Sequence, residues 1–176
     1  MTDPRRQRFE RLALPHLDAA YNLARWLCKD PATAEDLVQD SYLRAWRYFD
    51  AFRGDDMRVW LLAILRNRFF TSMGRAAGER ITYTDELPEA DPIWTEPSPN
   101  PEAVLMADAD AARVNRLVAV LPPEQKEVLL LREVEDLSYA DIARITEVPV
   151  GTVMSRLARA REALRRHWNA EAARER

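Results

Sequence analysis

The chain has 176 residues, 47% of them apolar and 31% charged, with a formal net charge of -3. That apolar share excludes a disordered tail or a collagen-like chain, and the acidic balance argues against a protein that coats nucleic acid by bulk charge. The length suits one ordinary domain or two small helical ones.

In chain order, residues 9–27 predict a helix bent at Pro15, where the backbone loses a donor and the ring crowds the preceding turn. Cys28 is the only cysteine, so no disulfide within the chain and no cysteine metal cluster can form. Its flanks, Ala24, Trp26 and Leu27, predict a buried thiol. Asp30-Pro31 opens the next helix, the Asp as cap and the Pro at the first helical position. Val38, Tyr42, Ala45 and Phe49 then recur at helical spacing as one buried stripe, leaving Asp36, Asp40, Leu43 and Arg47 exposed on the opposite face.

Residues 57–73 form a further helix that is apolar on most sides, with Trp60, Ile64 and Asn67 aligned on one face. Arg58, Arg66, Arg68 and Arg75 interleave with Trp60, Phe69 and Phe70, the mixture that single-strand binders use for backbone charge and base stacking. By residue chemistry alone these aromatics read as core rather than as base platforms, since aromatics at helical spacing are more often buried. From Gly74 to Pro101 composition changes: Gly78, Pro88, Pro92, Pro97 and Pro99 stand among acidic residues and deny both helix and core. This stretch reads as a flexible, acidic, Pro-rich linker.

The second block opens with a helix over residues 102–121, with Val114, Leu117, Val118 and Leu121 on one face, and Pro122-Pro123 stops it. A helix over EQKEVLLLREVE follows, ending near Asp136. Ser138 and Asp141 then form a capping box for a short helix through Ile145. After a tight break at Glu147-Val148-Pro149, a longer helix starts near Val150. This is the pattern of a helix-turn-helix, in which the first helix braces and the second enters the major groove. Ile142, Ala143, Val153 and Leu157 supply the apolar faces, and Thr152, Ser155, Arg156 and Arg159 are expected to face outward, with Arg161, Arg165 and Arg166 further along. The fold class is therefore all-α, two small helical domains joined by the linker, with boundaries at 1–75, 76–101 and 102–176.

Two strings carry a resemblance. LPPEQKEVLLLREVEDLSYADIARITEVPVGTVMSRLARAREALRR resembles the promoter-binding fourth region of extracytoplasmic-function (ECF) sigma factors, and CKDPATAEDLVQDSYLRAWRYFDAFRG resembles their second region. The resemblance implies a factor that binds core RNA polymerase and directs promoter-specific initiation, in response to an envelope or environmental stress and under anti-sigma control. It implies that Asp36, Gln39 and Asp40 meet the clamp helices of the β′ subunit, with the β subunit as a further contact. Trp60 and Asn67 match positions beside a flipped-out base of the −10 element, and Arg53, Arg58 and Arg66 lie where the non-template strand passes. Thr152, Ser155, Arg156, Arg159 and Arg161 match the part of the chain that meets the −35 element. The linker matches the segment that threads through the polymerase near the RNA path.

Two positions depart from the family pattern. Met154 stands where many relatives carry a basic residue, and Glu147 where a glycine is frequent, which costs on the order of 1 kcal/mol if the backbone there is left-handed. The expected partners are polymerase, promoter DNA and an anti-sigma factor, without small-molecule substrate, cofactor, metal or membrane insertion. The expected location is cytoplasmic, at the inner membrane when an anti-sigma factor holds it there. An enzyme is disfavoured, since His16 and His167 are the only histidines and the four glycines form no phosphate cradle. The alternative is a sigma-like decoy that binds an anti-sigma factor instead of polymerase. Reversing both Asp36 and Asp40 to Arg is expected to abolish polymerase binding and leave the fold intact.

Overall fold

A computed structural model describes residues 3–28, 30–76 and 101–174, and every regular element among them is helical. The linker expected over residues 76–101 falls largely on residues 77–100, which lie outside the described residues. Asp3 caps the first helix by accepting from the Arg5 backbone N–H, and α1 runs Pro4–Ala13. That cap places the helix start five residues before Phe9, the position the apolar pattern marks. At Pro15 the chain tightens into a single 3-10 turn, Leu14–His16, before α2 at Leu17–Leu27. Asp30 then caps α3 (Pro31–Arg47) as its residue type predicts, Oδ1 accepting from the Thr33 N–H at 2.8 Å.

A second 3-10 turn, Phe49–Ala51, leads to α4 (Met57–Ala76), which continues through Gly74 rather than ending there. One internal glycine costs a helix only about 1 kcal/mol, so it need not break one. The second half holds α5 (Pro101–Ala119), α6 (Pro123–Glu133), α7 (Tyr139–Thr146) and α8 (Val150–Arg174). On α5, Leu117 and Val118 are buried, whereas Val114 is 43% exposed, so the apolar face is shorter than its spacing suggests. α6 ends at Glu133, three residues before the expected Asp136. Asp136 instead adopts a left-handed backbone (φ 50°), which lets the Leu137 N–H donate back to the Leu131 carbonyl and satisfies the helix end.

In the first domain Val38, Ala45 and Phe49 are buried and Tyr42 is half-buried, its hydroxyl donating to the Ala13 carbonyl at 2.9 Å. That bond ties α3 to the end of α1. The apolar cores of the two halves are continuous: Leu23, Leu27, Val59, Leu62 and Leu65 belong to one buried cluster with Val128, Leu131, Ile142 and Leu157. α4 packs on α7 and α2 on α6, so the domains close on each other.

Cys28 is buried, and that burial pushes its thiol up to about 11. Since the thiolate is the reactive species, the thiol is expected to resist a disulfide reagent at pH 8 in the folded chain and to react once urea unfolds it. Stoichiometric labelling of folded protein within minutes would contradict this burial.

Candidate nucleic-acid interface

The helix-turn-helix is built from local signals that the structure reproduces in part. Ser138 Oγ accepts from the Asp141 N–H at 3.1 Å and starts α7. The reciprocal half of the expected capping box differs, because the Asp141 carboxylate accepts from Arg144 instead. Glu147 closes α7 in a left-handed conformation (φ 57°, ψ 38°), and the Val148 N–H reaches back to the Ala143 carbonyl. A glutamate therefore occupies the position where glycine is frequent, and α7 keeps its closed end. Ile142, Ile145, Val153, Leu157 and Ala160 are almost wholly inaccessible and lock α7 to α8, while Ala143 is half-buried.

This packing leaves one side of α8 to solvent. Met154, Ser155 and Arg159 are exposed and Thr152 is half-buried, and within the first three turns Thr152, Ser155 and Arg159 fall on one side of the helix. Arg161 is exposed and its guanidinium donates to Glu133 on α6. Arg156 departs from the outward orientation expected of it: its side chain is 22% exposed, and Nη1 points inward, 3.9 Å from Glu127. The reason is geometric. Arg156 lies next to the buried Leu157 and one turn before the buried Ala160, at the edge of the apolar stripe.

On the first domain, Asp36 and Gln39 are exposed on α3 and Leu43 is 68% exposed beside them. An open groove of about 720 Å³ adjoins them, lined by Phe9, Leu14, Gln39, Tyr42, Leu43 and Trp46 among others. Asp40 is not free in the way its neighbours are. Arg68 from α4 and Arg44 from the next turn both donate to its Oδ2. Partial burial pushes its carboxyl up, but these two guanidiniums outweigh the push and hold it below the ordinary aspartate range. The pairing therefore stabilises the fold above the unfolded-state value near pH 4 and is lost as pH falls through the depressed value. Reversing Asp40 would set a third positive charge against Arg44 and Arg68, so the expectation that the Asp36 and Asp40 double reversal spares the fold is corrected.

On α4 and the turn before it the candidate strand-binding residues divide. Trp60 is half-buried against Phe52, ring centroids 5.0 Å apart, and Asn67 is exposed with its Oδ1 accepting from Arg66. Arg53 is exposed and donates to the Asp50 and Phe52 carbonyls. Arg66 keeps only its Nη1 for Asn67: its Nε and Nη2 donate to Glu127 at 2.8 and 3.1 Å, and its guanidinium sits 4.5 Å from the Phe70 ring. Glu127 itself is 0% exposed. Burial pushes its carboxyl above the usual glutamate range, against the pull of Arg66 and Arg156. No motif or resemblance in the sequence singles out Glu127. The signal was present, because an acid at this point shares the α6 face of Leu130 and Leu131, one turn on.

Among the described residues no group of His, Cys, Asp and Glu could hold a metal ion, and no helix is long and apolar enough to cross a membrane.

Comparison with known proteins agrees with this architecture at both ends. Residues 12–78 match the profile of Sigma-70 region 2, and residues 111–164 that of Sigma-70, region 4. The chain is 33% identical over 162 residues to the RNA polymerase sigma-H factor of Pseudomonas aeruginosa, covering 89% of this chain and 83% of that one. It is 36% identical over 135 residues to the ECF RNA polymerase sigma-E factor of Escherichia coli, covering 73% and 70%. Among solved structures it resembles the sigma factor RpoE of Bartonella quintana, crystallised with the anti-sigma factor NepR, with a TM-score of 0.71 and 28% identity over 93% of this chain and 98% of that one. Two sigma regions in order, with relatives matched over most of their length, establish that the chain belongs to the ECF group of the sigma-70 family of RNA polymerase sigma factors.

Proposed function

We propose that this chain binds core RNA polymerase and directs it to a set of promoters, acting by binding and not by catalysis. The observation that carries the reading is the exposed start of α8, with Thr152, Ser155 and Arg159 presented by a closed helix-turn-helix on a chain that also has a region 2 domain. Such a helix seats its first turns on base edges of the major groove, and the arginine adds phosphate or guanine contact. Residues 102–176 would then read the −35 element, residues 1–75 would dock on polymerase and capture the −10 strand, and residues 76–101 would join them.

For docking, Asp36, Gln39 and Leu43 supply a polar face with one apolar anchor, and the adjoining groove extends the apolar area. For strand capture, the half-buried Trp60 would stack a base and the exposed Asn67 and Arg53 would meet its edge and backbone. Arg161 stays with Glu133 until a phosphate competes for it. One solved relative, the sigma factor RpoE of Bartonella quintana, is a complex with the anti-sigma factor NepR. Control of this chain by such a partner, in response to an envelope or environmental stress and at the inner membrane where that partner is anchored, follows by analogy. On this reading the protein works in the cytoplasm.

The test is binding of reconstituted holoenzyme to promoter fragments selected from genomic DNA, measured across a salt series. Arg159→Ala is expected to weaken binding and to reduce the slope of log K against log salt by about 1 if Arg159 holds a phosphate. An unchanged slope together with altered sequence preference would move Arg159 from phosphate to base contact.

A further inference from the structure

Of the two arginines of α4 that the family resemblance puts on the strand path, Arg66 faces an acid of the second domain and Arg58 carries charge opposite to another. Arg66 makes a two-point ion pair with Glu127, 2.8 and 3.1 Å, across a sequence separation of 61. Burial pushes the half-buried Glu135 carboxyl up, and the positive charge of Arg58 pulls the other way. Both pairs of positions are eight residues apart and match in antiparallel order, with Glu135 just past the end of α6. Both oxygens of the Glu127 carboxylate are engaged by Arg66. Arg156 of the recognition helix approaches the same carboxylate only to 3.9 Å, and its buried Nη1 has no hydrogen-bond partner among the described residues. A buried guanidinium N–H without an acceptor is unfavourable, and here the acceptor is one small side-chain shift away.

We propose that Glu127 is a shared counter-ion that latches the domains closed: it holds Arg66 in the closed form and passes to Arg156 when the domains part. Separating a buried ion pair ordinarily leaves one charge uncompensated, which makes opening costly. In this chain Arg156 takes over the carboxylate inside the second domain, so both closed and open forms keep Glu127 paired. The closed form withholds Arg66 from a melted strand and leaves α8 without its full brace. Opening frees Arg66 and secures α8 in one movement, the behaviour of a two-state element. The consequence for promoter contact rests on the reading of α4 and α8 given above; the latch itself does not.

The test uses the full-length chain. Arg66→Gln is expected to increase the radius of gyration in small-angle X-ray scattering. In arginine side-chain NMR it should give Arg156 a guanidinium N–H protected from solvent exchange, and that signal should vanish in Arg66→Gln with Arg156→Gln. An unchanged radius, or opening without a newly protected Arg156, overturns the proposal. So does failure of Arg66→Gln to fold, because the hand-over requires that Glu127 remain paired. A mixed-sequence 30-base-pair duplex at low salt separates the two claims: Arg66→Gln should bind it about fivefold or more tightly than wild type. Opening and Arg156 protection with no duplex binding by either protein would uphold the latch and overturn its consequence for DNA contact by the free chain.

Discussion

Glu127→Ala is expected to lower the unfolding free energy by about 3–5 kcal/mol, the range for removing one partner from a buried charged network. Its carboxylate is wholly inaccessible and stands between two guanidiniums, Arg66 at 2.8 Å and Arg156 at 3.9 Å. Alanine would leave both positive charges partly buried, with a void in the α6 face between them. Glu127→Gln keeps the shape and one acceptor, so its loss should be smaller. Arg66→Gln should cost less than either alanine or glutamine at 127, since Arg156 then inherits the carboxylate. Urea unfolding followed by circular dichroism gives the ranking directly. A cost below about 1 kcal/mol for Glu127→Ala would mean that the site relaxes or admits water, and that Glu127 is not the organising charge.

Asp36→Arg is expected to weaken association with core RNA polymerase tenfold or more, with the melting temperature unchanged. Asp36 is exposed on α3 beside Gln39 and Leu43, so reversing its charge alters the docking face and nothing beneath it. Asp40→Arg should differ: it removes the acceptor shared by Arg44 and Arg68, so the melting temperature itself should fall. Competition binding with labelled core polymerase, read beside thermal melts of the same variants, separates docking from folding. If Asp36→Arg binds like wild type, the docking face lies elsewhere on the first domain.

What could be read from the sequence was what depends on near neighbours. The Asp30 cap, the stripe Val38, Tyr42, Ala45 and Phe49, and the Ser138 start of α7 are all set within a few residues, and each appears in the structure. The left-handed Glu147 follows from the same kind of local argument. Pairings across the two blocks were not legible, because no periodicity encodes them. The spacing of α8 put Arg156 among the outward residues, and only the packing of α6 beneath it shows the buried carboxylate it faces. Arg66 and Glu127 are likewise ordinary in their own helices, and their meeting depends on how the two domains close. The candidate site was thus legible residue by residue, while the coupling between its two halves was not.

The most direct measurement of the central claim is run-off transcription with purified core polymerase, this chain and genomic fragments at low salt. Discrete transcripts that require the chain and disappear with Asp36→Arg are the result predicted. Absence of any promoter-specific transcript, with core polymerase active alongside a control sigma factor, would contradict it and favour a decoy that binds only an anti-sigma factor.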